Sequence, residues 1–126
     1  MLSLNYTLLQ AVADQALLDA AAHPRWVAAI GRALVDLDAN PWIERNPNGH
    51  GLIIGSTSGN CYAANGTCNC TAYQHGLPCY HRAMARLVRL HDEKLAAVGD
   101  AAQEAKLARK IAAARCAAQF NAELFA

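Results

Sequence analysis

The run Thr67-Cys68-Asn69-Cys70-Thr71-Ala72-Tyr73-Gln74-His75-Gly76-Leu77-Pro78-Cys79-Tyr80-His81 decides how the rest of the chain is read. It holds a Cys-x-Cys pair, eight intervening residues and a Cys-x-His pair. Three thiolates and one imidazole complete a tetrahedral structural zinc site. One structural Zn2+ held by Cys68, Cys70, Cys79 and His81 is therefore expected. A single residue between the members of a pair lets both side chains face the same way in extended backbone. Pro78 sets one backbone angle where a helix would begin, and lacks a donor that a helix start does not use. The N-terminal end of that helix also favours a thiolate.

The other candidate ligands are read differently. Cys61 in place of His81 is the alternative, giving a four-cysteine set; otherwise it is a small apolar side chain buried in a strand. Cys116 is expected to pack on the terminal helix. His50 and His75 lie among turn formers and are expected in solvent, and His91 stands ten residues beyond His81, too far to share its metal.

Outward from the ligands, the grammar of the chain changes twice. Residues 4–22 carry Leu4, Leu8, Val12 and Ala16 every fourth position, with Leu9 and Leu17 beside them, and predict a helix. His23-Pro24 interrupts it, since the residue before a proline is pushed out of helical geometry. Pro24 then suits the first turn of a second helix with Trp26, Ile30, Leu34 and Leu37 on one face. Such a helical hairpin must pack on the central segment or on a partner. From Trp42 to Ala64, three short apolar runs are separated by Asn46-Pro47-Asn48-Gly49-His50-Gly51 and by a turn at Ser58-Gly59. They predict a small three-stranded antiparallel meander. From Cys79 the pattern is helical to about Val98; Gly99 reads as a stop and Asp100 as the cap of a last, alanine-rich helix. The fold class is thus α+β. The expected parts are a helical hairpin over 1–40, the metal-binding meander with its following helix over 41–98, and a C-terminal helix over 99–126.

Those features coincide with a known family pattern. Cys-x-Cys followed at a distance by Cys-x-His resembles the SWIM zinc finger, as do the preceding meander, the helix at the second pair, and Gly76 and Pro78 just before Cys79. Tyr73 supplies an aromatic between the pairs. The resemblance covers roughly residues 42–90 and implies interaction with DNA or protein, in factors of recombination, transposition or chromatin.

Composition and charge bound the function. The net charge is +1, but three basic and five acidic residues precede Cys79, whereas eight basic and five acidic residues follow from it. Any positive face therefore belongs to the later helices. Arg82, Arg86 and Arg89, at spacings of four and three, share one helix face, and Lys94 extends it. This pattern can track a phosphate backbone. Arg82 has a second use, to offset the net −1 of three thiolates on a divalent ion. A catalytic role is not expected, because four protein ligands close the coordination sphere and no acidic residue lies between Arg45 and His91. No stretch reaches the ~20 apolar residues of a membrane span. Five cysteines without an export signal point to metal ligation in a reducing compartment, cytoplasmic (nucleoid) or nuclear and not secreted.

The expected function is a zinc-dependent, nucleic-acid-binding accessory subunit of a nucleoprotein complex of the recombination, transposition or defence type. DNA or RNA and protein subunits are the partners, without a membrane or a small-molecule substrate. The alternative is a protein adaptor whose finger and flanking helices dock partner subunits. In that reading, Trp26 and the Ala101/Ala105/Ala108/Ala112 stripe meet partner helices.

Overall fold

The computed structural model describes residues 2–125, apart from the side chains of residues 100, 101 and 117–125. Two helices open the chain, α1 (Tyr6–Asp19) and α2 (Pro24–Ala39). Three strands follow, β1 (Ile43–Arg45), β2 (Leu52–Gly55) and β3 (Cys61–Ala64). A one-turn helix, α3 (Thr71–Gln74), and a long helix, α4 (Tyr80–Phe125), complete the order. The chain is α+β, and it forms two units, residues 1–92 and residues 93–126.

Local chemistry accounts for the boundaries. The Asn5 side chain accepts the Leu8 N–H at 3.1 Å and caps α1. Pro24 stands in the first turn of α2, where its missing donor costs nothing. Asn40 ends α2 and joins it to the sheet, donating to the Gly55 carbonyl at 2.9 Å and accepting from the Trp42 N–H at 2.8 Å.

The strands form an antiparallel sheet in the order β1-β2-β3, with Ile43 opposite Ile54 and Leu52 opposite Ala64. Alternation then puts Ile43, Leu52, Ile54 and Ala64 on the buried face. Gly51 makes the first turn possible. Its φ of +78° suits glycine, and a Cβ there would run into the Ala64 carbonyl oxygen.

The hairpin packs on the central segment. Leu9, Val12 and Ala13 of α1, Ile30, Ala33 and Leu37 of α2, the inner sheet face, and Met84, Leu87 and Val88 of α4 form a single core cluster. The stripe on α1 is turned slightly from the expected one, with Leu9 and Ala13 buried and Leu4 and Leu8 at its margin.

Two expectations are corrected in the helices. Gly99 does not end a helix, because α4 is continuous from Tyr80 to Phe125. A helical glycine costs only about 1 kcal/mol against alanine, and this one is embedded among strong helix formers without a following turn motif. Asp100 likewise caps no helix start, because it lies within the continuous α4; its side chain and that of Ala101, the end of the alanine stripe, lie outside the described residues. The second correction is α3, a single turn inside the supposed loop between the two ligand pairs. Among the described residues no helix is long and apolar enough to cross a membrane.

Candidate metal centre

Cys68 and Cys70 lie between β3 and α3, and Cys79 and His81 lie at the start of α4. Their local settings are strongly constrained. Asn69, between the first two thiols, accepts the Ala63 N–H at 3.0 Å and so pins the knuckle to β3. Cys70 is the residue before α3 and Cys79 the residue before α4. The Arg82 N–H donates to Cys79 Sγ at 3.4 Å, so the sulfur takes the position of a helix N-cap. Gly76, with φ of +71°, closes the turn between α3 and the second pair, and the Leu77 N–H donates to the Ala72 carbonyl at 2.9 Å.

These elements bring Cys68, Cys70, Cys79 and His81 together. One candidate ligand atom from each lies within 4.8 Å of all the others, and all four residues are buried. Cys68 Sγ is 3.7 Å from His81 Nδ1. Ligand bonds of 2.0–2.3 Å in tetrahedral geometry give edges of about 3.5–3.8 Å, so that separation matches a shared ion. Two aromatic rings lie against the imidazole. The Tyr62 ring stacks at 4.5 Å and the Tyr80 ring lies tilted at 4.1 Å. With Nδ1 facing the thiols, Nε2 is the protonated nitrogen, and it is buried without a hydrogen-bond partner among the described residues.

The donor set fits a metal ion. His81 is 4% exposed and Cys68 7% exposed, and among the described residues no carboxylate, hydroxyl or amide side chain is hydrogen-bonded to either. Burying such groups together without a cation would be costly. Their acidities express the same tension. Burial pushes the Cys68 thiol up to about 12, with Cys70 and Cys79 adding to the rise. It also raises Cys79, against the Arg82 N–H. Cys70 is the exception. Burial raises it too, but the Tyr73 backbone N–H and the neighbouring thiols hold it below the ordinary value. Burial lowers His81 and favours the neutral imidazole that a metal requires. These residues could hold one metal ion, and a divalent cation would convert the resisting thiols to thiolates.

The remaining cysteines stand apart. Cys61 is exposed on β3 and does not belong to the group, so neither the four-cysteine set nor a buried Cys61 describes the structure. Strand alternation turns its side chain to the open face, while Ala64 faces the core. Cys116 is exposed as well, contrary to the packed position expected. His50 and His75 are exposed, as read from their turns.

Arg82, Arg86 and Arg89 line one cavity of about 370 Å³ together with His23, Trp26 and Asp19. Arg82 is partly buried, its guanidinium 5.4 Å from the Trp26 ring centre and 5.3 Å from that of Tyr73. Lys94 is exposed in the second unit. A second depression, of about 610 Å³, adjoins the metal ligands and is lined by Arg25, Arg32, Tyr62 and Tyr80. Arg32 lies 4.0 Å over the Tyr80 ring.

Sequence reasoning missed Asn69, Tyr62 and His91. His91 is 1% exposed and joins three segments. Its Nε2 accepts the Asn5 N–H at 3.0 Å, which leaves Nδ1–H to donate to Asp92 at 3.0 Å. Asp92 in turn meets Arg45 of β1 at 2.8 Å. These links span up to 86 residues and leave no local signal.

Comparison with known proteins adds no relative: no family model, curated protein or solved structure matches the chain.

Proposed function

We propose that the chain is a SWIM-like zinc module and serves as a nucleic-acid-binding accessory subunit of a nucleoprotein complex, of the recombination, transposition or defence type. The metal has an architectural role: zinc suits a closed set of three thiolates and one imidazole and leaves no open position for chemistry. The observation that carries the reading is the convergence of Arg82, Arg86 and Arg89 on one cavity within ten residues of Cys79. Arginine is suited to phosphate because its planar fork donates two parallel hydrogen bonds.

A second reading, a protein adaptor, draws on a different observation. Leu95, Val98, Leu107 and Ile111 of the second unit are exposed, between 46% and 60%. Large apolar side chains in that number on one helix offer contact area to a protein partner.

Titration of fluorescent single- and double-stranded oligonucleotides at two salt concentrations separates these readings. Neutralising three phosphates gives a log–log slope of about −2 to −3, so a fourfold rise in salt weakens binding by roughly 20- to 40-fold. Arg86→Ala flattens the slope by nearly one unit with metal content unchanged. No binding at low salt would overturn the nucleic-acid reading in favour of the adaptor.

A further inference from the structure

Every described side chain from 93 to 116 in the second unit is exposed, yet the stretch is patterned. Leu95, Val98, Ala102, Ala105, Arg109 and Ala112 follow one another at alternating steps of four and three, and the next step reaches Cys116. Three heptads at that spacing form one row along a helix, which is the pattern of a coiled-coil seam. We infer that this row docks an amphipathic helix of a partner protein, one whose apolar seam is bordered by carboxylates. The inference rests on the reading of the chain as a subunit with a protein partner and names the chemistry of that partner.

Charge selects the occupant. Residues beside a heptad seam meet the flanks of the partner helix. Here Lys94, Lys106 and Arg115 stand beside the row and Arg109 stands within it. No carboxylate pairs with Lys94, Lys106 or Arg115 among the described residues. By the same spacing, the acidic positions Glu93, Asp100 and Glu104 fall on the opposite side of the helix. From 94 to 116 the seam and its borders therefore carry positive charge alone. A helix flanked by Glu or Asp complements them, and a carboxylate opposite Arg109 would receive two parallel hydrogen bonds. A second copy of this chain would instead set like charges against one another.

Side-chain size agrees with a helix as the occupant. Ala102, Ala105 and Ala112 let a second axis approach toward the short end of the ~8–10 Å range, and Leu95 and Val98 supply larger apolar contacts at one end. Phosphates have no use for an apolar row. A bilayer gains little from alanine, since binding there scales with the apolar area buried, and the acidic far side is repelled by anionic lipid. Leu107 and Ile111 lie off the row and take no part in it.

The test titrates the full-length, zinc-loaded protein into a fluorescent helical peptide of about three heptads, with Leu and Ala in its seam and Glu at its flanks. The comparison ligands are the same peptide with Lys flanks, the Glu-flanked peptide with Ser in its seam, and phosphatidylserine vesicles. The Glu-flanked Leu/Ala peptide should bind at least about tenfold more tightly than either altered peptide, and less tightly as salt rises. Val98→Asp should weaken that binding at least about tenfold. Lys106→Glu combined with Arg115→Glu should reverse the preference toward the Lys-flanked peptide. All three positions are exposed, so metal content should stay unchanged in these variants.

Equal or tighter binding of the Lys-flanked peptide would overturn the inference while leaving a protein partner in place. Equal binding of the Ser-seam peptide would reduce the row to a charge effect and overturn it too. Failure of every peptide to bind would remove both the inference and a helical protein partner on this face. Vesicle binding that Val98→Asp abolishes would assign the face to a membrane, and a sedimenting dimer that Val98→Asp dissociates would assign it to a second copy; either would overturn the inference.

Discussion

Cys68 and Cys79 are thiols that burial makes reluctant to ionise, and His81 is an imidazole that burial keeps neutral. The sign of the pH dependence follows. Below the thiol pKa values the metal-free site carries its protons, and an incoming cation must displace them. His81 has none to release at neutral pH. Loss of two to three protons weakens apparent metal affinity by about a hundred- to a thousandfold for each unit that pH falls. Competition with a chromophoric chelator between pH 8 and pH 6 measures this directly; a flat profile would mean that the thiolates are not the ligands. Substitution at this scale is equally specific. Cys79→Ser should abolish tight metal binding, because it removes one ligand and replaces the sulfur that accepts the Arg82 N–H. The ligands were legible because their spacing is local and their chemistry leaves few other uses. The partners that hold them are ordinary residues in sequence: Asn69 and Tyr80 stand between the ligands, and Tyr62 acquires its role only through the turn that brings β3 near.

At the scale of elements, His91 secures α4 to the start of α1 and, through Asp92, to β1. Burial would raise the Asp92 carboxyl, but Arg45 and then His91 hold it below the ordinary value. A depressed carboxylate contributes stability above its unfolded pKa and loses it as pH falls through the folded one. Asp92 is 43% exposed, so its pair with Arg45 is worth no more than about 1 kcal/mol. His91→Ala is the more severe change. It leaves the Asn5 N–H unpaired and should cost about 1–3 kcal/mol, before any contribution from the cavity it opens. Urea unfolding at fixed metal concentration should therefore rank His91→Ala well below Asp92→Ala in stability, and equal midpoints would refute the staple. The meander was readable from its turns and its short apolar runs, whereas its register came only with the structure. The passage of α4 through Gly99 was not, because a glycine is a stop only when a turn follows it. The short α3 was hidden among residues that resemble a loop.

For the whole molecule, the first unit depends on one core shared by the hairpin, the sheet and the beginning of α4. Cys68, Cys70 and Cys79 belong to that cluster, while Leu77 and Trp42 of the central segment are exposed rather than packed. Chelation should accordingly accelerate hydrogen exchange from Leu52 to Tyr80 while α1 and α2 retain much of their protection. Unchanged exchange across that stretch would show that the core suffices without metal. Whole-molecule function was the least legible level. The arginines declare their common face by spacing, yet their meeting with Trp26 depends on how the hairpin folds back over α4, and periodicity carries no trace of it.

The metal itself offers the most direct test. Native mass spectrometry of the chain purified without added metal, combined with alkylation under native conditions, reads stoichiometry and ligand identity together. The structure has five free cysteines, of which Cys61 and Cys116 are exposed. The predicted result is one zinc ion per chain, with alkylation confined to Cys61 and Cys116 until the metal is removed. A metal-free chain alkylated at all five cysteines, or a zinc-bound chain in which Cys61 is protected, would contradict it.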